Sequence, residues 1–488
     1  MSFMGMKKKE SSPVSPLKKR RASWSQLWVN NHHHLLSSPP LDLASKFQSL
    51  TPPIAKSKTL HPDDSRNADP TLLLSDLTLL SIIEKVPESH RKSLSLVCKR
   101  WLKLHGRLVR SIRVSDWEFL ASGRLISRFP NLDSVDLVSG CLISPPNSGI
   151  LVNHRIVSFT VGVGTYQSWS FFEENLLPVE MVDTGLTTLA DGCCSNLQRL
   201  VVTNTSELGL LNVAEECSRL QELELHKCSD SVLLGIGAFE NLQILRLIGN
   251  VDGLYSSLVS DIGMMILAQG CKRLVKLELV GCEGGFDGIK EIGERCQMLE
   301  ELTVCDHKME SGWLGGLRYC QNLKTLKLVS CKKIDHDTGL GECLSCSCPA
   351  LERLHLERCQ LRDKNTVKAL YKMCEAAREI VFQDCWGLDN DIFSLATAFG
   401  RVKLLYLEGC SLLTTSGLES VVLHWHELEH LKVVSCKSIK DSEISPLLSA
   451  LFSALVELQW RPDTRSHLSS SLAGTGIGEK GGKFFKKT

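Results

Sequence analysis

Apolar residues recur along most of the chain in one short phrase: a leucine-type residue at positions 1, 4 and 6, then a cysteine at position 9. Leu220-Gln221-Glu222-Leu223-Glu224-Leu225-His226-Lys227-Cys228 is one copy, and Leu274 to Cys282 is another. Leu323 to Cys331, Leu351 to Cys359, Val402 to Cys410 and Leu428 to Cys436 keep the same form. Looser copies begin at Leu132, Ile156, Leu197, Leu242, Leu299, Ala377 and Leu455. These starts predict thirteen short strands, most of them 22–28 residues apart. Between them the apolar spacing changes to the 3.6-residue period of a helix, as in Ser260 to Ala268.

A repeat period in the twenties with this signature predicts a leucine-rich-repeat solenoid. The fold class expected is therefore α/β: a parallel-stranded horseshoe with returning helices on its outside. Leucines 1, 4 and 6 should point into the interior. Positions 3, 5 and 7 should project from the strands onto the concave face. That places Glu222, Glu224, His226, Arg246, Lys276, Glu278, Lys327, Arg353, His355, Glu357, Tyr406, His430 and Lys432 on the candidate binding surface. Both charge signs are interspersed there. Such a surface suits a protein or peptide partner, whereas nucleic acid would want a basic stripe.

The chain has 20 cysteines, a number that needs an explanation. Its basic start has no apolar stretch after it, so no secretory signal is expected, and a disulfide framework is a poor reading. The repeats account for most of the thiols instead. Position 9 holds Cys228, Cys282, Cys331, Cys359, Cys385, Cys410 and Cys436. A second recurrent place, three residues before the next leucine, holds Cys194, Cys217, Cys271, Cys296, Cys320, Cys348 and Cys374. These thiols should be buried, reduced and unreactive. Cys343-x-x-Cys346-x-Cys348, with His336 upstream, is the one spacing that invites zinc. Cys348 already has a repeat role, so no metal is expected. No cofactor is expected either, because the inner rows carry no tight Arg/Lys cluster.

Ahead of the repeats lies a helical stretch. Leu72 to Val86 has a start signal at Ser75 or Asp76 and apolar residues at helical spacing, and Pro87 closes it. In the next stretch Leu94, Val97, Cys98 and Trp101 fall at i, i+3, i+4 and i+7, one face of a helix. This unit is too small to hold a core alone and must lean on a partner or on the repeats.

Leu74 to Trp101 resembles an F-box. The family pattern ends in Leu-x-x-Val-Cys-Lys-Arg-Trp, and Leu94-Ser95-Leu96-Val97-Cys98-Lys99-Arg100-Trp101 stands in that place. The pattern's leading proline is replaced by Ser75, which either weakens the adaptor contact or changes the helix cap. The repeats in turn are similar to the cysteine-containing, RNI-like subtype of leucine-rich repeats that frequently follows an F-box, notably in plants. The resemblance implies a substrate-receptor subunit of an SCF-type (Skp–cullin–F-box) ubiquitin ligase. A Skp-type adaptor would bind Leu74, Leu77, Leu79, Leu80, Ile83, Val86, Pro87, Leu94, Val97 and Trp101, linking the chain to a cullin-RING ligase. The concave face would hold an unknown protein substrate, and catalysis would belong to other subunits. The alternative is a non-ligase repeat scaffold whose helices are an N-terminal cap.

Charge and composition refine the ends. The formal net charge is +1. Residues 1–70 hold 11 Lys/Arg against 5 Asp/Glu, and residues 461–488 hold 6 against 2, so basic ends flank a mildly acidic body. Residues 1–70 are Ser/Pro-rich and read as disordered, with Lys18-Lys19-Arg20-Arg21 as a candidate import signal. Residues 71–112 are the F-box candidate, 113–462 the repeats, and 463–488 a Gly/Lys-rich tail. No apolar run suits a membrane helix, so nucleus and/or cytoplasm is the expected location. One stretch breaks the repeat period. Tyr166, Trp169, Phe171 and Phe172 lie in an interruption between Val161 and Gly185, where they either anchor a substrate or fold down over the solenoid.

Overall fold

A computed structural model describes residues 70–142, 176–193, 196–251, 255–307, 312–332 and 348–463. The chain divides into two compact units, Met1–Leu72 and Leu73–Thr488. The described fold is that of the second unit.

Its first part is three short helices: α1 (Asp76–Lys85), α2 (Glu88–Leu94) and α3 (Lys99–Leu108). Ser75 caps α1, its hydroxyl accepting the Thr78 amide at 3.1 Å. Such a cap satisfies one of the amides that a helix start leaves unpaired. Leu79, Ile83 and Leu104 form a small buried core, with Leu74, Leu80, Leu94, Trp101 and Leu108 packed on it. Arg100 ties the unit together by donating to Asp76 at 2.8 Å and to the Leu74 carbonyl at 2.6 Å.

The predicted continuous helical face over Leu94, Val97, Cys98 and Trp101 is not formed. The chain turns after α2, with the amides of Leu96 and Val97 donating to Ser93 and Leu94. Cys98 is extended at φ −160° before α3 begins. Leu94 and Trp101 share the small core, while Val97 and Cys98 point outward and are exposed.

One parallel sheet of thirteen strands follows, paired in strict chain order among the described residues. Its strands are β1 (Ser111–Arg113), β2 (Ser134–Asp136), β3 (Arg199–Thr203), β4 (Glu222–His226), β5 (Ile244–Ile248), β6 (Lys276–Val280) and β7 (Glu301–Cys305). The remainder are β8 (Thr325–Val329), β9 (Arg353–Glu357), β10 (Glu379–Gln383), β11 (Leu404–Glu408), β12 (His430–Val434) and β13 (Glu457–Arg461). Equivalent positions align in register, as in Glu357, Gln383 and Glu408 across β9, β10 and β11. Among the described residues, the segments returning from one strand to the next are helical over part of their length, β8 to β9 apart. This is the leucine-rich-repeat solenoid.

The core runs unbroken from Val114 to Trp460. Leucines at positions 1, 4 and 6 are its ribs, as Leu323, Leu326 and Leu328 show with at most 1% exposure. The position-9 thiols donate across repeats. Cys359 reaches the Leu328 carbonyl, Cys385 that of Leu356, both at 3.3 Å, and Cys331 that of Val304 at 3.7 Å. Each target is position 6 of the preceding repeat. Cys217, Cys271, Cys296 and Cys374 sit at helix C-caps, where the turn toward the next strand begins.

Two strand expectations change. The unit expected at Ile156 has no place between its neighbours, because β2 pairs directly with β3; Ile156 itself lies outside the described residues. In its stead β1 opens the sheet. Its three residues, Ser-Ile-Arg, are too short and polar to show as a repeat.

Candidate functional site

The face of the sheet turned away from the helices is built from positions 3, 5 and 7. Successive side chains on a strand alternate between faces, so these residues share one surface by geometry alone. A turn residue at position 8 then bends the chain back. Asn204, Lys227, Asp306, Ser330, Arg358, Asp384 and Ser435 occupy it at φ between +49° and +55°, and Gly281 and Gly409 at +59° and +66°. Asn, Asp and Gly tolerate this left-handed backbone readily; Lys, Arg and Ser are held there by the solenoid around them.

On β3–β6 the charged residues are paired with one another. Arg199 donates to Glu222 at 2.8 Å and reaches Glu224 at 3.4 Å. Arg246 lies 3.5 Å from Glu224 and 3.2 Å from Glu278. His226 Nε2 meets Glu224 Oε1 at 2.9 Å, and Tyr255 covers the ring edge-on at a centroid distance of 6.0 Å. Burial works to raise the Glu224 pKa, but His226, Arg246 and Arg199 more than offset it and hold the carboxyl below its ordinary value. Glu278 goes the other way, raised chiefly by burial.

An apolar strip lies beside this network. Ile248, Val280, Cys305 and Val329, all at position 7, are buried with Val251, Tyr255 and Leu176. Leu142 packs there too and pairs with Leu176 in an antiparallel bridge. Those two residues are the described ends of the stretch that breaks the repeat period. Tyr166, Trp169, Phe171 and Phe172 lie outside the described residues.

On β8–β12 the polar residues form a second, looser chain. Lys327 is 3.2 Å from Glu357, and His355 meets Gln383 at 2.7 Å. Gln383 donates to Glu408 at 2.8 Å, and the Tyr406 hydroxyl donates to the same oxygen at 2.5 Å. Burial, then Lys327, lowers the His355 pKa, so its imidazole stays neutral at pH 7. His430 and Lys432 both approach Glu457, at 3.5 Å and 3.8 Å.

Most residues expected on the binding surface are there and at least partly accessible: Glu222, Arg246, Lys276, Glu278, Lys327, Arg353, His355, Tyr406, His430 and Lys432. Glu224, His226 and Glu357 are buried. They are the wall of the surface and set its charge, and direct contact with a partner is not open to them as they stand. Asp384 and Trp386 are also exposed. They follow the strand at positions 8 and 10, outside the alternating rows that a strand-based reading tracks.

The helical unit divides in the same way. Leu79 and Ile83, expected on an adaptor face, are buried in its own core. Leu74, Leu80, Val86, Leu94 and Trp101 are half-buried, while Leu77, Val97 and Pro87 are exposed. Leu77, Leu96 and Val97 show 74%, 85% and 61% of their surface to solvent.

Among the described residues no group of three or more His, Cys, Asp or Glu could hold a metal ion, and no helix is long and apolar enough to cross a membrane. Cys343, Cys346 and His336 lie outside the described residues.

No family model matches the chain. Among solved structures, the chain is similar to that of a TLR13–ssRNA13 complex, at 18% identity over 70% of this chain with a TM-score of 0.41. It spans 41% of that protein's length. It is similar to an internalin, InlF, from Listeria monocytogenes, at 12% identity over 73% of this chain and 94% of that one, with a TM-score of 0.35. The yeast Rad7–Elc1 complex aligns at 12% identity over 88% of this chain and 97% of that one, with a TM-score of 0.36.

Proposed function

We propose that the chain is the substrate-receptor subunit of an SCF-type ubiquitin ligase, with residues 71–112 as its F-box. The observation that carries this reading is the outward set Leu77, Leu96 and Val97. A unit with so small a core gains nothing from exposing large apolar side chains unless a partner covers them. Leu-Ser-Leu-Val-Cys-Lys-Arg-Trp supplies two of the three, in the segment that resembles the family pattern. The helices then hold a Skp-type adaptor, and the sheet face holds a protein substrate at a fixed distance from the ubiquitin-charged enzyme. Its contribution is proximity and orientation, with bond-making left to other subunits.

A second reading, a repeat scaffold with a helical cap, is favoured by how closely α3 seals the solenoid. Asn131 donates to the Arg107 carbonyl at 2.8 Å, and a Cβ on Gly106 would sit 2.2 Å from the Arg128 carbonyl oxygen. Capping and adaptor binding use different faces of the same unit, so one assay separates the readings. The full chain and a Leu77→Asp/Val97→Asp variant are co-purified with a Skp-type adaptor. The receptor reading expects the wild type to bind and the variant to lose at least about tenfold in affinity, with its melting temperature unchanged. A wild type that does not bind removes the ligase reading and leaves the scaffold.

A further inference from the structure

The two halves of the open sheet face differ in how completely their carboxylates are paired. On β4–β6 every carboxylate of the network has a partner, and Tyr255 shields its histidine. On β9–β11 the bonding is unfinished. Glu357 is 2% exposed, and its Oε1 accepts no hydrogen bond, with Arg358 3.8 Å away. Glu408 uses Oε2 for both Gln383 and Tyr406. The Asp384 carboxylate has no hydrogen-bond or ion-pair partner among the described residues. Gly409 lets it lean over the next repeat, since a Cβ there would lie 1.8 Å from Asp384 Oδ1. Burial, then Glu408, raises the Asp384 pKa against the opposing charge of Arg358, and Glu357 adds to the rise, so these carboxylates feel one another. Two residues on stands Trp386, 62% exposed.

From this arrangement we propose that β9–β11 carry the principal contact site of the open face, a cup that takes a cationic side chain, arginine above all, from a protein partner. Asp384 and Glu408 receive the guanidinium, Trp386 lies against its flat side, and Glu357 behind them supplies charge. Arginine fits because one planar group can serve two carboxylates and an aromatic face together. The inference rests on the reading that this face takes a protein partner, and it stands apart from what the helices bind. The β4–β6 network is left as framework, since a ligand there would have to break ion pairs already made.

The test uses the full chain carrying 5-fluorotryptophan, with the Trp386 fluorine signal assigned by Trp386→Phe. Acetyl-Gly-Arg-Gly-amide is titrated in, and the same peptide with citrulline serves as the uncharged control. The cup predicts a saturable shift of the Trp386 signal with the arginine peptide and none with citrulline. It also predicts about a tenfold weakening in Asp384→Asn/Glu408→Gln and no change in Glu222→Gln. Asparagine suits the left-handed backbone at 384, and glutamine can still accept the Tyr406 hydroxyl, so the fold is retained. A shift that does not saturate, or one equally strong in the double variant, overturns the cup. That failure alongside normal adaptor co-purification would leave the receptor reading standing, and the reverse result would leave the cup.

Discussion

A thiol buried among leucines resists ionisation because its anion would lose its solvation. Burial pushes Cys141, Cys271, Cys282 and Cys296 up to about 12 and raises Cys305, Cys320 and Cys385 as well. Of the sixteen described thiols only Cys98 is exposed. Iodoacetamide at pH 8 should therefore label Cys98 and none of the other fifteen, as read by peptide mass mapping. There is also a pH consequence. The unfolded chain ionises these thiols from 9.0 upward, while the folded chain keeps its protons to about 12. Their contribution is complete below pH 9 and declines as pH rises through that window, by roughly 1.4 kcal/mol per pH unit per thiol. The melting temperature should fall above pH 9, and less steeply in a Cys271→Ala/Cys296→Ala variant. Most cysteines were legible from spacing, because a position that recurs with the period must have a recurring environment. Position 8 was not legible. Lys227, Ser330 and Arg358 share one left-handed backbone there, and neighbouring repeats enforce it without a sequence mark.

Successive helices are coupled by a small device at their N-termini. Asp230 accepts from the Ser260 amide at 2.8 Å and the Ser260 hydroxyl at 2.6 Å, and thereby holds the start of the helix Asp261–Gly270 in the next repeat. Asp183 does the same for Ser206, and Asn390 for Thr414. Each needs a glycine opposite: a Cβ on Gly263 would lie 2.2 Å from Asp230 Oδ1. Gly263→Ala should destabilise by about 1–3 kcal/mol by forcing the carboxylate off its bonds. Asp230→Ala should cost about 1–2 kcal/mol as a lost cap. The double variant should cost clearly less than the two together, because the atom struck is gone; urea denaturation of the four proteins measures this coupling. Additive costs would show that the glycine serves some other purpose. A periodic pattern predicts which elements exist, but a contact between residues thirty apart leaves no such mark. The same limit explains the break between α2 and α3. The spacing of Leu94 and Trp101 fits one helix or two meeting at a core, and only packing decides between them.

At the scale of the molecule, stability passes from neighbour to neighbour, since each strand pairs only with those adjacent to it in the chain. Among the described residues, β13 pairs on one side only. Trp460 closes it, 4.8 Å from the Phe452 ring and donating to Asp441 at 2.8 Å. Trp460→Ala should release amide protection in β12, β13 and the helix Pro446–Ala454 while β4–β8 keep theirs, as followed by hydrogen exchange. Uniform loss across the sheet would mean the solenoid unfolds as one body. Parallel order, inward leucines and the open face could be read from the chain because they follow from a repeated period. The division of that face into a half whose carboxylates are paired and a half whose carboxylates are not fully paired could not, since it depends on which charges meet across strands.

The pairing of β2 with β3 has a consequence for how this chain can change over time. Leu142 and Leu176 bridge at the mouth of the intervening stretch, and the Leu177 amide bonds the Cys141 carbonyl at 2.8 Å, so both of its ends are pinned by the body. Closing a longer or shorter stretch between fixed ends alters free energy only with the logarithm of its length. With Cys141 and Leu142 tied to Leu176 and Leu177, a change in the number of residues joining them would cost the thirteen-strand frame little.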